Sequence, residues 1–299
     1  MQALKQVNLQ LLKAVSRGSP HISIGVIDGP VDLDHPAFYK SQIRTVKESQ
    51  LVACKSADSI SCIHGTFVVG MLSGKQGSQA TAICPDCKII LRPIFNDSNT
   101  KADNVLFPSS TPLELADAII ETVDAGAKII NLSLGLSTSS LIQFPNLKEA
   151  YEYASQKGVV IVASAGNQGI IGYISIIDHP WIIPVAACDE NNILHPTSNI
   201  SPSIAKRGLM APGVNIISTS PGGGYLQLSG TSFAAPFVTG TIALLWSIFK
   251  GAMPHEIVRS VRMTDINQLR HRMMFPPICN AEKSKEILEN ILYNRKQYV

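Results

Sequence analysis

A chain of 299 residues that is 45% hydrophobic and only 16% charged can bury a sizeable core, which excludes an intrinsically disordered protein. Its formal net charge of +3 is small and no lysine or arginine block concentrates it, so no nucleic-acid partner is expected.

In chain order, residues 1–19 carry lysines at 5 and 13 and only short apolar runs, unlike a cleaved secretory signal. Only 27 residues precede Asp28, too few for a separate folding module. A cytoplasmic protein is therefore expected, with an excised mature domain of a secreted protein as the alternative. Apolar runs then predict strands near 22–27, 88–93, 128–133, 159–163 and 181–186, and helices near 64–73, 111–125, 146–157 and 232–249. Strands alternating with helices favour an α/β fold, a doubly wound parallel sheet with helices on both faces. Residues 229–249 hold no charge over 21 positions, long enough to span a bilayer, but Gly230, Pro236 and Gly240 interrupt the run. It reads as the buried central helix of a large domain, and no membrane partner is expected. Beyond Arg262, residues 263–277 look irregular, whereas 281–293 place Ile287, Leu288, Ile291 and Leu292 at helical spacing. The expected organisation is a main domain over 1–262 with a C-terminal helical extension over 263–299 packed on it; a docking element for a partner or precursor is the alternative.

Ser232 stands at a tight Gly-Thr turn that opens the apolar helix, so free backbone N–H groups surround a hydroxyl placed there. A serine hydroxyl is a weak nucleophile near neutral pH and needs a general base. His64 supplies one, in a His-Gly-Thr run where Gly65 permits a tight turn into a buried helix. Asp28 closes the first predicted strand, at the carboxyl edge where open α/β sheets place their sites, and could hold the imidazole in the needed tautomer. The remaining histidines read as loop or packing residues.

Six cysteines are present. Cys84-Pro85-Asp86-Cys87 has a CxxC spacing, but no second CxxC or nearby HxxxH completes a zinc site, so structural thiols or disulfides are expected rather than a metal. Cys54 and Cys62 flank a short polar loop before His64 and are the candidate disulfide pair; sequence alone leaves the bridge open.

Four motifs in this order, Val26-Ile27-Asp28-Gly29, His64-Gly65-Thr66, Ala163-Ser164-Ala165-Gly166-Asn167 and Gly230-Thr231-Ser232-Phe233-Ala234-Ala235-Pro236, resemble those of the subtilisin-like serine proteases. The resemblance covers about residues 22–262 and implies a three-layer subtilisin-like fold and an Asp28–His64–Ser232 triad. It also implies an oxyanion role for the Asn167 side chain. Ser133, Leu134 and Gly135 would pair with an extended peptide substrate, and Ser164, Ala165 and Gly166 would line the opposite wall of the primary pocket. A second resemblance, carried by Ile83-Cys84-Pro85-Asp86-Cys87 through Phe95 and by Pro221-Gly222-Gly223-Gly224, is to the subtilases that mature cyanobactin peptides. Within that group, a helical cap accompanies macrocyclisation. Only 36 positions separate Asp28 from His64, which leaves no room there for a sizeable cap and favours hydrolytic removal of a leader from a ribosomal precursor peptide.

Two departures stand out. Phe67 replaces the second histidine of the family's His-Gly-Thr-His pattern, and Ala37 follows Asp34-His35-Pro36 where many relatives place a calcium-binding aspartate. Loop 74–80 offers no carboxylate either, so no calcium is expected, and Asp32 and Asp34 read as a solvated loop. The expectation is therefore a serine endopeptidase without cofactor acting on a peptide or precursor peptide. A transamidase or macrocyclase on the same acyl-enzyme, or a non-catalytic peptide-binding module, is the alternative.

Overall fold

Strands β1 (Ser23–Asp28), β2 (Ile43–Thr45), β3 (Lys88–Pro93), β4 (Ile129–Leu132), β5 (Val160–Ser164), β6 (Ile182–Cys188) and β7 (Leu209–Pro212) form one sheet, ordered β2-β3-β1-β4-β5-β6-β7. Every pairing in it is parallel. The computed structural model describes residues 2–46, 54, 56–75, 77–80, 82–95, 110–133, 144–172, 174, 177–263 and 275–297. The central strands are largely apolar because both faces are covered, whereas the edge strand β2, Ile-Arg-Thr, is only partly buried. Ile89 and Leu91 enter one core while Ile90 enters the other, and Val160 and Val162 alternate with Ile161 and Ala163 in the same way. Predicted strands 22–27, 88–93, 128–133, 159–163 and 181–186 are all found within a residue or two; β4 ends at Leu132, so Ser133 stands just beyond it.

Helices α1 (Gln2–Gln6), α2 (Leu9–Val15) and α3 (Ile60–Ser73) precede α4 (Pro112–Asp124), α5 (Pro145–Gln156) and α6 (Pro202–Arg207). Then come α7 (Thr231–Ile248), α8 (Pro254–Arg262) and α9 (Ala281–Gln297), with an antiparallel hairpin of β8 (Ile216–Ser220) and β9 (Gly224–Leu228) ahead of α7. Helix α7 is long and apolar enough to cross a bilayer, yet 89% of it is buried inside this protein, as the central helix of a large domain requires.

The sequence placed the start of α3 at His64, with Gly65 as a turn residue; the helix begins four residues earlier. Ser59 caps it, its hydroxyl accepting from the Cys62 N–H. Gly65 lies inside the helix, where a Cβ would fall 2.5 Å from the carbonyl oxygens of both Gly29 and Pro30. Its role is close packing of α3 onto the turn after β1, not entry into the helix. Cys54 and Cys62 form a disulfide that ties the preceding loop to the first turn of α3.

At the carboxyl terminus α9 buries Leu288 in the main core, Arg295 pairs with Glu256 of α8 at 3.0 Å, and the Cys279 N–H donates to the Met210 carbonyl of β7. Most of the segment predicted to be irregular, 264–274, lies outside the described residues.

The chain runs from β1 to β2 and β3 on one side, then crosses to β4 on the other. The order therefore reverses between β1 and β4, and the crevice at the carboxyl ends of these strands is where open α/β sheets bind ligands. Asp28 ends β1, and Ile27 pairs with Leu132, the residue before Ser133.

Candidate active site

Asp28 is buried and its Oδ1 accepts from the Gly29 N–H (2.6 Å) and from His64 Nδ1 (2.7 Å); Oδ2 has no hydrogen-bond partner among the described residues. The carboxylate thus holds the proton on Nδ1 and leaves Nε2 as the basic nitrogen. Burial disfavours a charged imidazole, but the Asp28 charge and hydrogen bond outweigh it and raise the His64 pKa above its ordinary 6.5.

Ser232 lies in the first turn of α7, buried, beside the His64 face of α3: the ring of the next residue, Phe233, stands 5.5 Å from the imidazole. Its hydroxyl donates to the Ser133 carbonyl at 2.9 Å rather than to His64. The Ser133 hydroxyl donates back to the Ser232 carbonyl, also at 2.9 Å. That acceptor is open for a covalent reason. Pro236, four residues on and inside the helix, has no N–H to give it. Asn131 Nδ2 donates to Ser133 Oγ (2.7 Å) and Thr239 Oγ1 donates to Asn131 Oδ1 (2.8 Å), so a buried polar chain bolts the start of α7 to the end of β4.

Asn167 follows β5, and its Oδ1 accepts both the N–H (2.8 Å) and the hydroxyl (3.0 Å) of Thr231. A backbone N–H can only donate, so the amide cannot flip, and its NH₂ is left as a donor. The Ser232 N–H, in the unpaired first turn of α7, has no acceptor among the described residues. Gly230 is constrained here: its φ is 152°, and a Cβ would come within 3.2 Å of Asn167 Nδ2.

Ser164 and Ala165 are buried at the end of β5, and the Gly166 N–H donates to Thr231 Oγ1 at 3.1 Å. The structure thus gathers Asp28, His64, Ser232, Asn167, Ser133 and Gly166 around one strand edge. Leu134 and Gly135 lie outside the described residues. Sequence reading missed Thr231 as the partner of Asn167, and Asn131 and Thr239 as supports. A polar residue in an otherwise apolar strand, Asn131, is the signal that could have found the last two. Among the described residues no group of three His, Cys, Asp or Glu could hold a metal ion. Asp32 instead accepts from the Gly222 N–H at 2.8 Å, and His35 caps the turn at Ala37.

A family model described as the subtilase family matches residues 19–280. The thermophilic serine proteinase of Bacillus sp. (strain AK1) is 33% identical over 253 residues, 84% of this chain and 58% of that protein, so the chain spans a little over half of that relative's length. Among solved structures, the prenylagaramide maturation protease PagA superimposes with a TM-score of 0.79 at 30% identity, over 94% of this chain and 98% of that one. The PatG macrocyclase domain superimposes with a TM-score of 0.80 over 95% of this chain and 96% of that one, but at 21% identity, a likeness of fold alone.

Proposed function

The chain belongs to the subtilase family, and from that premise we propose that it is a serine endopeptidase whose acyl-enzyme forms on Ser232 and whose substrate is a ribosomally made, cyanobactin-type precursor peptide that loses its leader. His64 takes the proton of Ser232 Oγ as that oxygen attacks the scissile carbonyl carbon. The oxyanion is held by the Asn167 amide and the Ser232 N–H, while Asp28 stabilises the imidazolium. His64 passes its proton to the leaving amine, and the C–N bond breaks. Water then enters, gives a proton to His64 and attacks the ester carbonyl; the C–O bond to Ser232 breaks, Oγ takes the proton back from His64, and the product leaves as the carboxylic acid.

One observation carries this reading: the 2.7 Å contact between His64 Nδ1 and Asp28 Oδ1 at the switch point of the sheet, facing the first turn of α7. Rotation of the Ser232 hydroxyl from the Ser133 carbonyl to His64 completes the arrangement, and such bonds tighten when substrate binds. Ser133, Leu134 and Gly135 on one side and Ser164, Ala165 and Gly166 on the other hold the extended substrate. Likeness to a maturation protease supports a precursor peptide as substrate, and the short Asp28–His64 interval supports hydrolysis over cyclisation.

A fluorophosphonate probe should label the wild type and not Ser232→Ala; an unlabelled wild type overturns the mechanism. Mass spectrometry of a precursor peptide should then show a free leader and a linear core. Cyclic or extended products would replace hydrolysis by transamidation.

A further inference from the structure

The Asp28 hydrogen bond fixes one point of the His64 ring, Nδ1, and the direction of Nε2 then depends on what packs against the ring. Ser232 does not hold the other nitrogen, because its hydroxyl points at the Ser133 carbonyl. The ring of Phe233 packs beside the imidazole, 5.5 Å from its centroid and inclined at 41°. Phe233 is itself packed on Phe67, centroid to centroid 4.5 Å and inclined at 53°.

His64 and Phe67 are three residues apart on α3, so they share one face of that helix. Phe233 projects from α7 directly after the nucleophile and lies against both. The backing is firm. Phe67 is fully buried, its carbonyl accepts from Ser218 Oγ, and the Thr66 carbonyl accepts from Thr219 Oγ1, each at 2.7 Å. One side chain therefore sets the register between the helix that carries the base and the helix that carries the nucleophile. An apolar ring there also shields the imidazole from water without offering it a competing hydrogen bond.

We propose that Phe233, backed by Phe67, is a positioning residue that holds the His64 imidazole with Nε2 turned toward Ser232. The inference rests on the reading of His64 as general base. It gives Phe67, which stands where the family pattern has a polar residue, a task in this chain: to complete an apolar stack behind Phe233.

The test measures kcat, KM, the pH dependence of kcat/KM and the downfield Nδ1–H resonance for Phe233→Leu, Phe67→Leu, the double variant and Phe233→Tyr. Misplacing a reacting group by about 1 Å can cost about a hundredfold, so the smaller displacement expected in Phe233→Leu should lose about tenfold in kcat with KM unchanged within about twofold. Its Nδ1–H resonance should broaden, and Phe233→Tyr, which keeps the ring, should recover most of the rate. The double variant should lose little more than Phe233→Leu alone, because Phe67 acts through Phe233. Folded Phe233→Leu with wild-type kcat, pH limb and resonance overturns the proposal, as does a loss confined to KM. Should Phe233→Leu not fold, Phe67→Leu carries the test with an expected loss of about threefold in kcat, and an unchanged kcat overturns it. Failure of the base reading has its own signature: His64→Ala would retain kcat whatever Phe233 does.

Discussion

Ser133 and Pro236 act on the same atom: the proline withholds a helical N–H from the Ser232 carbonyl, and the Ser133 hydroxyl supplies the missing donor at 2.9 Å. Ser133→Ala should therefore leave a buried carbonyl and the Asn131 amide without partners and cost about 1–3 kcal/mol. In a Pro236→Ala background, where the helix can satisfy the carbonyl itself, the same change should cost clearly less. Urea denaturation of the four proteins in this cycle reads the difference, and equal costs in both backgrounds would contradict the link.

Asn167 invites two substitutions with different logic. Asn167→Ala removes the oxyanion donor and should lower kcat about 10²–10³-fold, the loss such a side chain causes in this family. Asn167→Asp preserves the acceptor for Thr231 but replaces the donor with a charge that repels the oxyanion. It should lose at least as much while folding normally, and steady-state kinetics that found it more active than the alanine variant would argue against the assigned geometry.

How much of this was legible beforehand follows from where the signal lay. Long apolar runs such as Val159–Ala163 declare strands because both faces are buried, and the four separated motifs placed Asp28, His64, Asn167 and Ser232 without geometry. Strands β2 and β7 are not legible because Ile43-Arg44-Thr45 and Leu209-Met210-Ala211-Pro212 show neither alternation nor a β-branched apolar run, and in the hairpin β8–β9 the turn Pro221-Gly222-Gly223-Gly224 joins a β9 that is not buried. Helix α8 does carry start signals in the sequence, Pro254 at its first position and Glu256 in its first turn. The start of α3 was misplaced because Gly65 looked like a breaker; its glycine requirement comes from Gly29 and Pro30, distant in sequence and visible only after folding.

That contact makes Gly65→Ala a test in which two known effects oppose each other. Alanine in a helix interior gains about 1 kcal/mol over glycine. Against this, the new Cβ would sit 2.5 Å from two backbone carbonyls that cannot rotate away, and overpacking costs about 1–3 kcal/mol. The clash should win, lowering Tm and, because the displaced turn follows Asp28, lowering kcat as well. A variant more stable than the wild type would show that the turn yields without cost.

The Cys54–Cys62 bridge closes a loop of sequence separation 8, short enough that chain-entropy arguments give about 2–3 kcal/mol. Cys54→Ser should lower the denaturation midpoint accordingly. Two of the buried free thiols, Cys188 and Cys279, should alkylate only on unfolding: burial raises Cys188 to about 12 and Cys279 to about 11, so neither is a thiolate near neutrality. Rapid labelling of either in native protein would refute this.

The pH response of His64 can be worked out in sign. Burial alone would disfavour the charged imidazole; the Asp28 charge and the 2.7 Å bond outweigh it, so the pKa lies above 6.5. A general base must be deprotonated to act, so kcat/KM should fall toward acid along a limb centred above 6.5. Asp28→Asn removes the charge and should shift that limb downward while lowering kcat about 10⁴-fold. Stability follows the opposite course. The folded protein binds the His64 proton more tightly than the unfolded chain, so this group adds stability that is fully present below its unfolded pKa and lost as pH rises through the folded one. Urea titrations of the wild type and His64→Gln should therefore differ most at acid pH and converge as pH climbs. A difference that grew with pH would mean that burial, not Asp28, dominates the imidazole.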